Sequence, residues 1–329
     1  MLTYLARRLL LTVPTLFIVT VIVFVMIRLV PGDAVDAMAL RLSQQGQEID
    51  LVREEIEAML GLDVPVLQQY GRWIGVLPDR DGKLNGLLQG NLGGSYWRPY
   101  TVNQEISRRL PSTLELGFLA LVISQVIALP IGIYSALRQD TFGDYVGRSI
   151  AMTFIAVPSF WVATMVIIFP ALWWGYMPPV MKKPFFEDPL RHLRAYVVPA
   201  TVLGMSMSGL TMRMARTMML EVLRQDYIRT AWAKGLRERV VIVGHALKNA
   251  LIPVVTAVGL QLPLLIGGTV IIETIFVLPG MGSLIVDSTT TRDYPMLSGA
   301  MLFFAFGLII INILVDLTYA YLDPRIQYE

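Results

Sequence analysis

Three observations predict an all-α polytopic membrane protein with six transmembrane helices. Hydrophobic residues make up 55% of the 329 positions and charged residues only 16%, far from the balance of a soluble domain. Apolar runs long enough to cross a bilayer recur along the chain. Lysine and arginine are concentrated in alternate intervening segments, the asymmetry that sets membrane topology. Some classes are excluded at once. There is no cysteine, so neither a disulfide framework nor a thiolate metal site can form, and the two histidines, His192 and His245, lie far apart. A net charge of +2 is too small to suggest nucleic acid as a partner.

Leu9 to Ile27 is an unbroken apolar run of 19 residues, enough for a hydrocarbon core of about 30 Å at about 1.5 Å rise per residue. Arg7 and Arg8 precede it, and Arg28, Pro31, Gly32 and Asp33 follow where a signal peptide would carry a small-residue cleavage site, so it reads as a retained anchor. Further spans are expected at 112–137, 149–174, 196–213, 250–277 and 296–321. With a cytoplasmic N-terminus, thirteen lysines and arginines fall in inside segments, eight of them from Arg213 to Lys248. Five, Lys182, Lys183, Arg191, Arg194 and Arg292, fall in the short outside loops. The long first loop is left out because long loops translocate largely regardless of charge. Both termini are therefore expected in the cytoplasm. The expected organisation is 1–30, N-terminal residues and the first span; 31–110, an extracytoplasmic insertion; 111–322, a core with spans two to six and a cytoplasmic loop at 213–248; and 323–329, a cytoplasmic tail.

The insertion is long enough to fold. Between Gln47 and Leu60, Ile49, Val52, Ile56 and Met59 recur at helical spacing and Gly61 supplies a stop, which predicts a short amphipathic helix. Gly82, Gly86, Gly90, Gly93 and Gly94 then mark turns. A simple tether and a docking surface for an extracytoplasmic partner both fit such a segment. Proline lies in or beside most spans, at Pro14, Pro130, Pro158, Pro170, Pro199, Pro253 and Pro263, and the fifth span adds Gly259, Gly267 and Gly268. Kinked core helices are expected, their freed carbonyls satisfied by neighbouring helices or by a water-filled cavity.

The loop from Arg213 to Lys248 is the most informative stretch. Its charge is what positive-inside bias produces unaided, but Thr230, Ala231, Ala233 and Gly235 fall within six positions. A helix through them has so little side-chain bulk that a partner surface can approach its backbone closely. Asp226 stands at the expected N-cap and Gly235 at the expected C-terminal stop, giving a helix of about two turns.

Asp226-Tyr227-Ile228-Arg229-Thr230-Ala231-Trp232-Ala233-Lys234-Gly235-Leu236, followed by His245, Ala246, Leu247, Asn249, Ala250, Leu251, Ile252 and Pro253, resembles the cytoplasmic signature of ATP-binding cassette importer permeases. Arg229 and Thr230 stand where the general signature has Glu and Ala, and Lys248 where it has Pro; these departures are those of the dipeptide, oligopeptide and nickel branch. The similarity continues through Glu273-Thr274-Ile275-Phe276, Pro279-Gly280-Met281-Gly282, Arg292-Asp293-Tyr294-Pro295 and Asn312 to Leu317. At the other end, Val30-Pro31-Gly32-Asp33 and Arg109 to Leu116 resemble the first permease of such a pair.

The resemblance implies a pore-forming, non-enzymatic subunit beside a second permease, with two ATP-binding subunits, an extracytoplasmic solute-binding protein and membrane lipid as partners. Asp226, Tyr227, Arg229, Thr230, Ala231, Ala233, Lys234 and Gly235 would form the ATPase-coupling element. ATP and magnesium would sit on the partner subunits, and no cofactor or metal is expected on this chain; it has no Gly-x-x-x-x-Gly-Lys-Ser/Thr phosphate loop. Peptides are the implied cargo, with nickel complexes or oligosaccharides the alternative within the same machine. An ion-coupled carrier or channel would call for central charged residues or inverted repeats, and neither stands out.

Among the remaining polar residues, Thr256, Gln261, Thr269 and Glu273 on the fifth span are candidates for lining a pathway. Glu115, Glu273 and Asp316 each sit near a predicted span end, where a carboxylate costs little, so a structural role is the simpler reading for all three. Arg213 and Arg216 suit the interfacial end of the fourth span, and the methionines around it are read as apolar packing.

Overall fold

A computed structural model describes residues 2–29, 35, 49–176 and 185–322. The described chain is helical apart from turns and one isolated bridge between Gly94 and Thr101. In order the helices are α1 (Leu2–Leu29), α2 (Ile49–Leu60), α3 (Val66–Ile74), α4 (Val102–Leu137), α5 (Phe142–Ala156), α6 (Ser159–Trp174), α7 (Pro189–Leu223), α8 (Asp226–Ala233), α9 (Leu247–Ile275), α10 (Met281–Thr291) and α11 (Tyr294–Leu322). A single turn at Glu238–Val240 and a π-helical segment at Val241–Ala246 lead into α9. The chain divides into two compact units, Ala6–Pro111 with Ser283–Gly307, and Ser112–Gly282 with Met1–Leu5 and Leu308–Glu329.

The membrane-crossing helices follow the apolar runs but not their edges. Among the described residues five are long and apolar enough to span a bilayer, and a bent pair brings the number to as many as six. That pair covers the expected span at 149–174 and is bent at Pro158, one of the prolines at which a kink was expected. α5 and α6 meet at Val157 and Pro158 with a bend of 95°. A proline there lacks the N–H that would continue the ladder, and it disfavours helical geometry in Val157, whose φ and ψ are −85° and 121°. α4 begins ten residues before the expected 112 because Thr101 and Gln104 bond each other's backbone N–H groups and start a helix in polar sequence. α10 was not expected, since its Ser, Thr and Asp content reads as loop.

In the unit containing α1, Val23, Ile27 and Leu297 are buried together against Ile285, Tyr294 and Met301. The insertion folds onto α1: Thr20 and Tyr70 share a hydrogen bond of 2.9 Å, and Phe24 meets the Tyr70 ring edge-on at 5.0 Å. The expected amphipathic helix is α2; its Ile56 is 1% exposed and Gly61 ends it at φ +72°. The expected residues 47 and 48 lie outside the described ones. Asp293 accepts from the Ser95 hydroxyl and the Tyr96 N–H, which fastens the 94–101 turn to the start of α11.

In the other unit α7 is the central helix, about 52 Å long at 1.5 Å per residue. A Cβ added to Gly204 would lie 2.7 Å from the Ala120 carbonyl oxygen, one on Gly209 2.7 Å from that of Ala151, and one on Gly132 of α4 2.7 Å from that of Met212. These glycines let α4, α5 and α7 touch backbone to backbone, the close packing that holds helices together in lipid. Leu116, Ala163, Tyr196, Leu203 and Ile272 fill the centre of the unit.

Candidate functional site

α8 is eight residues long, too short to be stable alone, and its inner face explains why it forms. Ile228 is fully buried and Ala231 is 6% exposed, packed with Met219 of α7, Ala136 of α4 and Val241, Ala246 and Ala250 beyond it. Asn249 adds a polar tie, donating from its amide to the Tyr227 hydroxyl at 3.0 Å and to the His245 carbonyl at 2.9 Å. The start differs from expectation by one residue. Gln225 holds the cap position with extended backbone, and Asp226 is the first helical residue, where a carboxylate suits the positive end of the dipole. The end is as expected: Gly235 takes φ +74°, its N–H donates to the Trp232 carbonyl at 2.9 Å, and that of Leu236 reaches Ala231 at 3.4 Å, a Schellman closure.

The outer face is open. Asp226, Tyr227, Arg229, Thr230, Ala233, Lys234 and Gly235 are exposed, and nothing lies within 4 Å of a Cβ placed on Gly235. Ala231 is the exception among the expected coupling residues, since its side chain serves the chain's own core. The small residues therefore divide into two sets. Ala231 lets α8 sit close to its own chain, whereas Thr230, Ala233 and Gly235 keep the far side low.

The pathway candidates fare differently. Gln261 is 6% exposed and donates to the Thr211 hydroxyl at 3.1 Å, and Thr269, fully buried, bonds the Ile266 carbonyl at 2.8 Å. Glu273 is also fully buried. Its carboxylate accepts from the Thr113 hydroxyl at 2.6 Å and from the Gly282 N–H at 2.7 Å, and Thr113 in turn accepts from the Met281 N–H at 2.8 Å. Glu273 thus ties α4 to Met281 and Gly282, the first residues of α10. A side chain on Gly280 would fall on that carboxylate, so the glycine makes room for it. Only Thr256 of the four is part-exposed; it borders a groove with Leu121, Gly259, Leu314 and Thr318.

Sequence reasoning missed a buried charged contact of this unit. Asp144, fully buried in α5, takes two parallel bonds from Arg216 of α7, at 2.8 and 2.7 Å, a third from the Ser135 hydroxyl and a fourth from the Asp140 N–H at 3.0 Å. Arg148, one turn on, lies 3.5 Å from the same carboxylate. A bidentate arginine satisfies a buried carboxylate with fixed geometry, so this pair locks α5 to α7 about two turns before α7 ends at Leu223. The available signal was Asp144 itself, four residues before Arg148 at the edge of an apolar run. Among the described residues no three His, Asp or Glu side chains meet in a way that could hold a metal.

The family described as binding-protein-dependent transport system inner membrane component matches residues 128–328, and its N-terminal counterpart matches residues 1–117. A protein of Brucella abortus (strain 2308), provisionally named a peptide transport system permease, is 38% identical over 323 residues, 98% of each chain. The glutathione transport system permease GsiC of Pectobacterium atrosepticum is 36% identical over 329 residues, and the dipeptide transport system permease DppB of Escherichia coli K12 is 35% identical over 352, each match covering 100% of both chains. A chain of the inward-facing MetNI methionine ABC transporter shares the fold, with a TM-score of 0.55 at 16% identity over 67% of this chain and 97% of that one. The chain is a member of the binding-protein-dependent transport system inner membrane component family, a multi-pass inner-membrane permease of the ATP-binding cassette importer class.

Proposed function

We propose that this chain forms half of a peptide translocation pathway, with a related but different permease as the other half, and that α8 is the element through which ATP drives it. The observation that carries the reading is α8 itself, a helix anchored by Ile228 and Ala231 whose outer face, Tyr227, Arg229, Thr230, Ala233 and Lys234, touches no other part of the unit strongly enough to bury it. Such a face suits a groove on an ATP-binding subunit. Peptide cargo is supported by relatives named for peptide, dipeptide and glutathione transport.

In this reading both termini and α8 are cytoplasmic and the 49–101 region meets a solute-binding protein on the opposite side. ATP and magnesium are held by two partner subunits, and this chain hydrolyses nothing. Closure of the ATP-binding pair moves α8. The Asp144–Arg216 bond and the glycine contacts of α4, α5 and α7 carry that movement to the membrane helices as one body. ATP shifts the equilibrium only by its differential affinity for the two arrangements, so a rigid connection from α8 to α7 is what the mechanism requires.

The test is uptake of a labelled dipeptide into vesicles holding the complete complex and its binding protein. Ala233→Trp puts a bulky side chain on the open face without touching the core, and ATP-dependent uptake should be lost while α8 stays folded. Gly235→Trp is a poorer probe, because at φ +74° any side chain strains the backbone. Uptake that ignores ATP, or survives Ala233→Trp, would sink the coupling role.

A further inference from the structure

The unit built on α1 has a half-open cavity of about 340 Å³ that the transport reading leaves unused. Phe24 and Ile27 of α1 give it an apolar side, and Arg28, Arg72, Trp73 and Tyr96 present polar groups to it. Arg28 is engaged: its guanidinium lies 3.4 Å above the centre of the Phe24 ring, and it donates to Gln69 at 2.5 Å and to the Phe24 carbonyl at 3.0 Å. The Arg72 guanidinium, the Trp73 indole N–H, the Asn85 amide N–H groups and the Tyr96 hydroxyl donate to no described residue. Burial, and after it the Asp293 carboxylate, push the Tyr96 phenol above its ordinary range, so the hydroxyl keeps its proton. Asp79 also lines the cavity, with one oxygen accepting the N–H groups of Asp81 at 2.8 Å and Lys83 at 3.3 Å. Two guanidiniums and a surplus of donors against one carboxylate call for a ligand that brings negative charge and acceptor oxygens.

The position of the cavity narrows the source of that ligand. Arg28 lies in the last turn of α1, a membrane-crossing helix whose Phe17, Ile22, Met26 and Leu29 are 58%, 49%, 56% and 73% exposed. Apolar side chains so exposed on a spanning helix face lipid, and arginine, tryptophan and tyrosine at its end stand at headgroup depth. We propose that this cavity is a binding site for the headgroup of an anionic phospholipid, its phosphate taken by Arg72 with Tyr96 and its acyl chains lying along α1. Bound there, the lipid would fasten the insertion to the end of α1 from the membrane side.

The experiment uses the complete complex in phosphatidylcholine nanodiscs carrying a minor fraction of phosphatidylglycerol, with retained lipid read by native mass spectrometry. The intact chain should retain phosphatidylglycerol over phosphatidylcholine. Arg72→Gln should lower retention about tenfold, the loss expected of a charge-assisted hydrogen bond, and Tyr96→Phe a few-fold. Arg80→Gln, which removes a surface arginine paired with Asp63 at 2.5 Å and not lining the cavity, should change nothing. Equal losses in Arg72→Gln and Arg80→Gln would reduce the effect to general surface charge and overturn the site, as would no preference over phosphatidylcholine. Displacement of the lipid by excess dipeptide would overturn it in favour of a soluble carboxylate. If Arg72→Gln prevents assembly, Tyr96→Phe, which removes one oxygen and keeps the ring, decides alone.

Discussion

Replacing Ile228 with alanine should release α8 from the rest of the chain. Ile228 is fully buried, so the change deletes three carbons from a packed site and costs about 2–5 kcal/mol. An eight-residue helix has no stability to draw on, and what remains is Ala231 and the Tyr227–Asn249 bond, the latter contributing about 1 kcal/mol. The population of the detached helix should therefore rise by roughly 30-fold to several thousand-fold. Trypsin reads this directly, because cleavage at Arg229 and Lys234 requires local opening and tracks the open population when reclosing is fast. The comparison is Thr230→Ala, which removes an exposed hydroxyl bonded to the Asp226 carbonyl at 2.9 Å and should alter cleavage by less than about threefold. If Ile228→Ala is cut no faster than Thr230→Ala, α8 is not held by its inner face and the physical basis of the coupling role fails.

Asp144→Ala leaves Arg216 without its counter-charge and should destabilise the protein by about 3–5 kcal/mol; adding Arg216→Met should recover much of this, and additive losses in a thermal-unfolding cycle would refute the pairing. Gly280→Ala drives a methyl group into the Glu273 carboxylate and should cost about 1–3 kcal/mol, partly relieved in the same assay by Glu273→Ala. Gly235→Ala meets no neighbouring atom, so its cost is confined to the about 1–2 kcal/mol of a left-handed backbone, and uptake should fall far less than with Ala233→Trp.

The sequence determined everything that depends on local composition. Apolar runs fixed which segments enter the bilayer, because a span must satisfy its backbone internally and only a long apolar helix does so. The row of small residues ending at Gly235 located α8, since a left-handed position and low side-chain bulk are properties of the residues themselves. Partnership between distant residues was beyond its reach. Glu273 reads as a span-end carboxylate of no stated partner until the fold brings Thr113 and the Gly282 N–H to it, and Asp144 reads as a span-edge acid until α7 delivers Arg216. Ala231 and Ala233 are the same residue type two positions apart, yet one faces the core and the other solvent. Helical phase puts the two on opposite sides of α8, but which side is inward depends on where Met219 and Val241 lie, and packing between segments settles it.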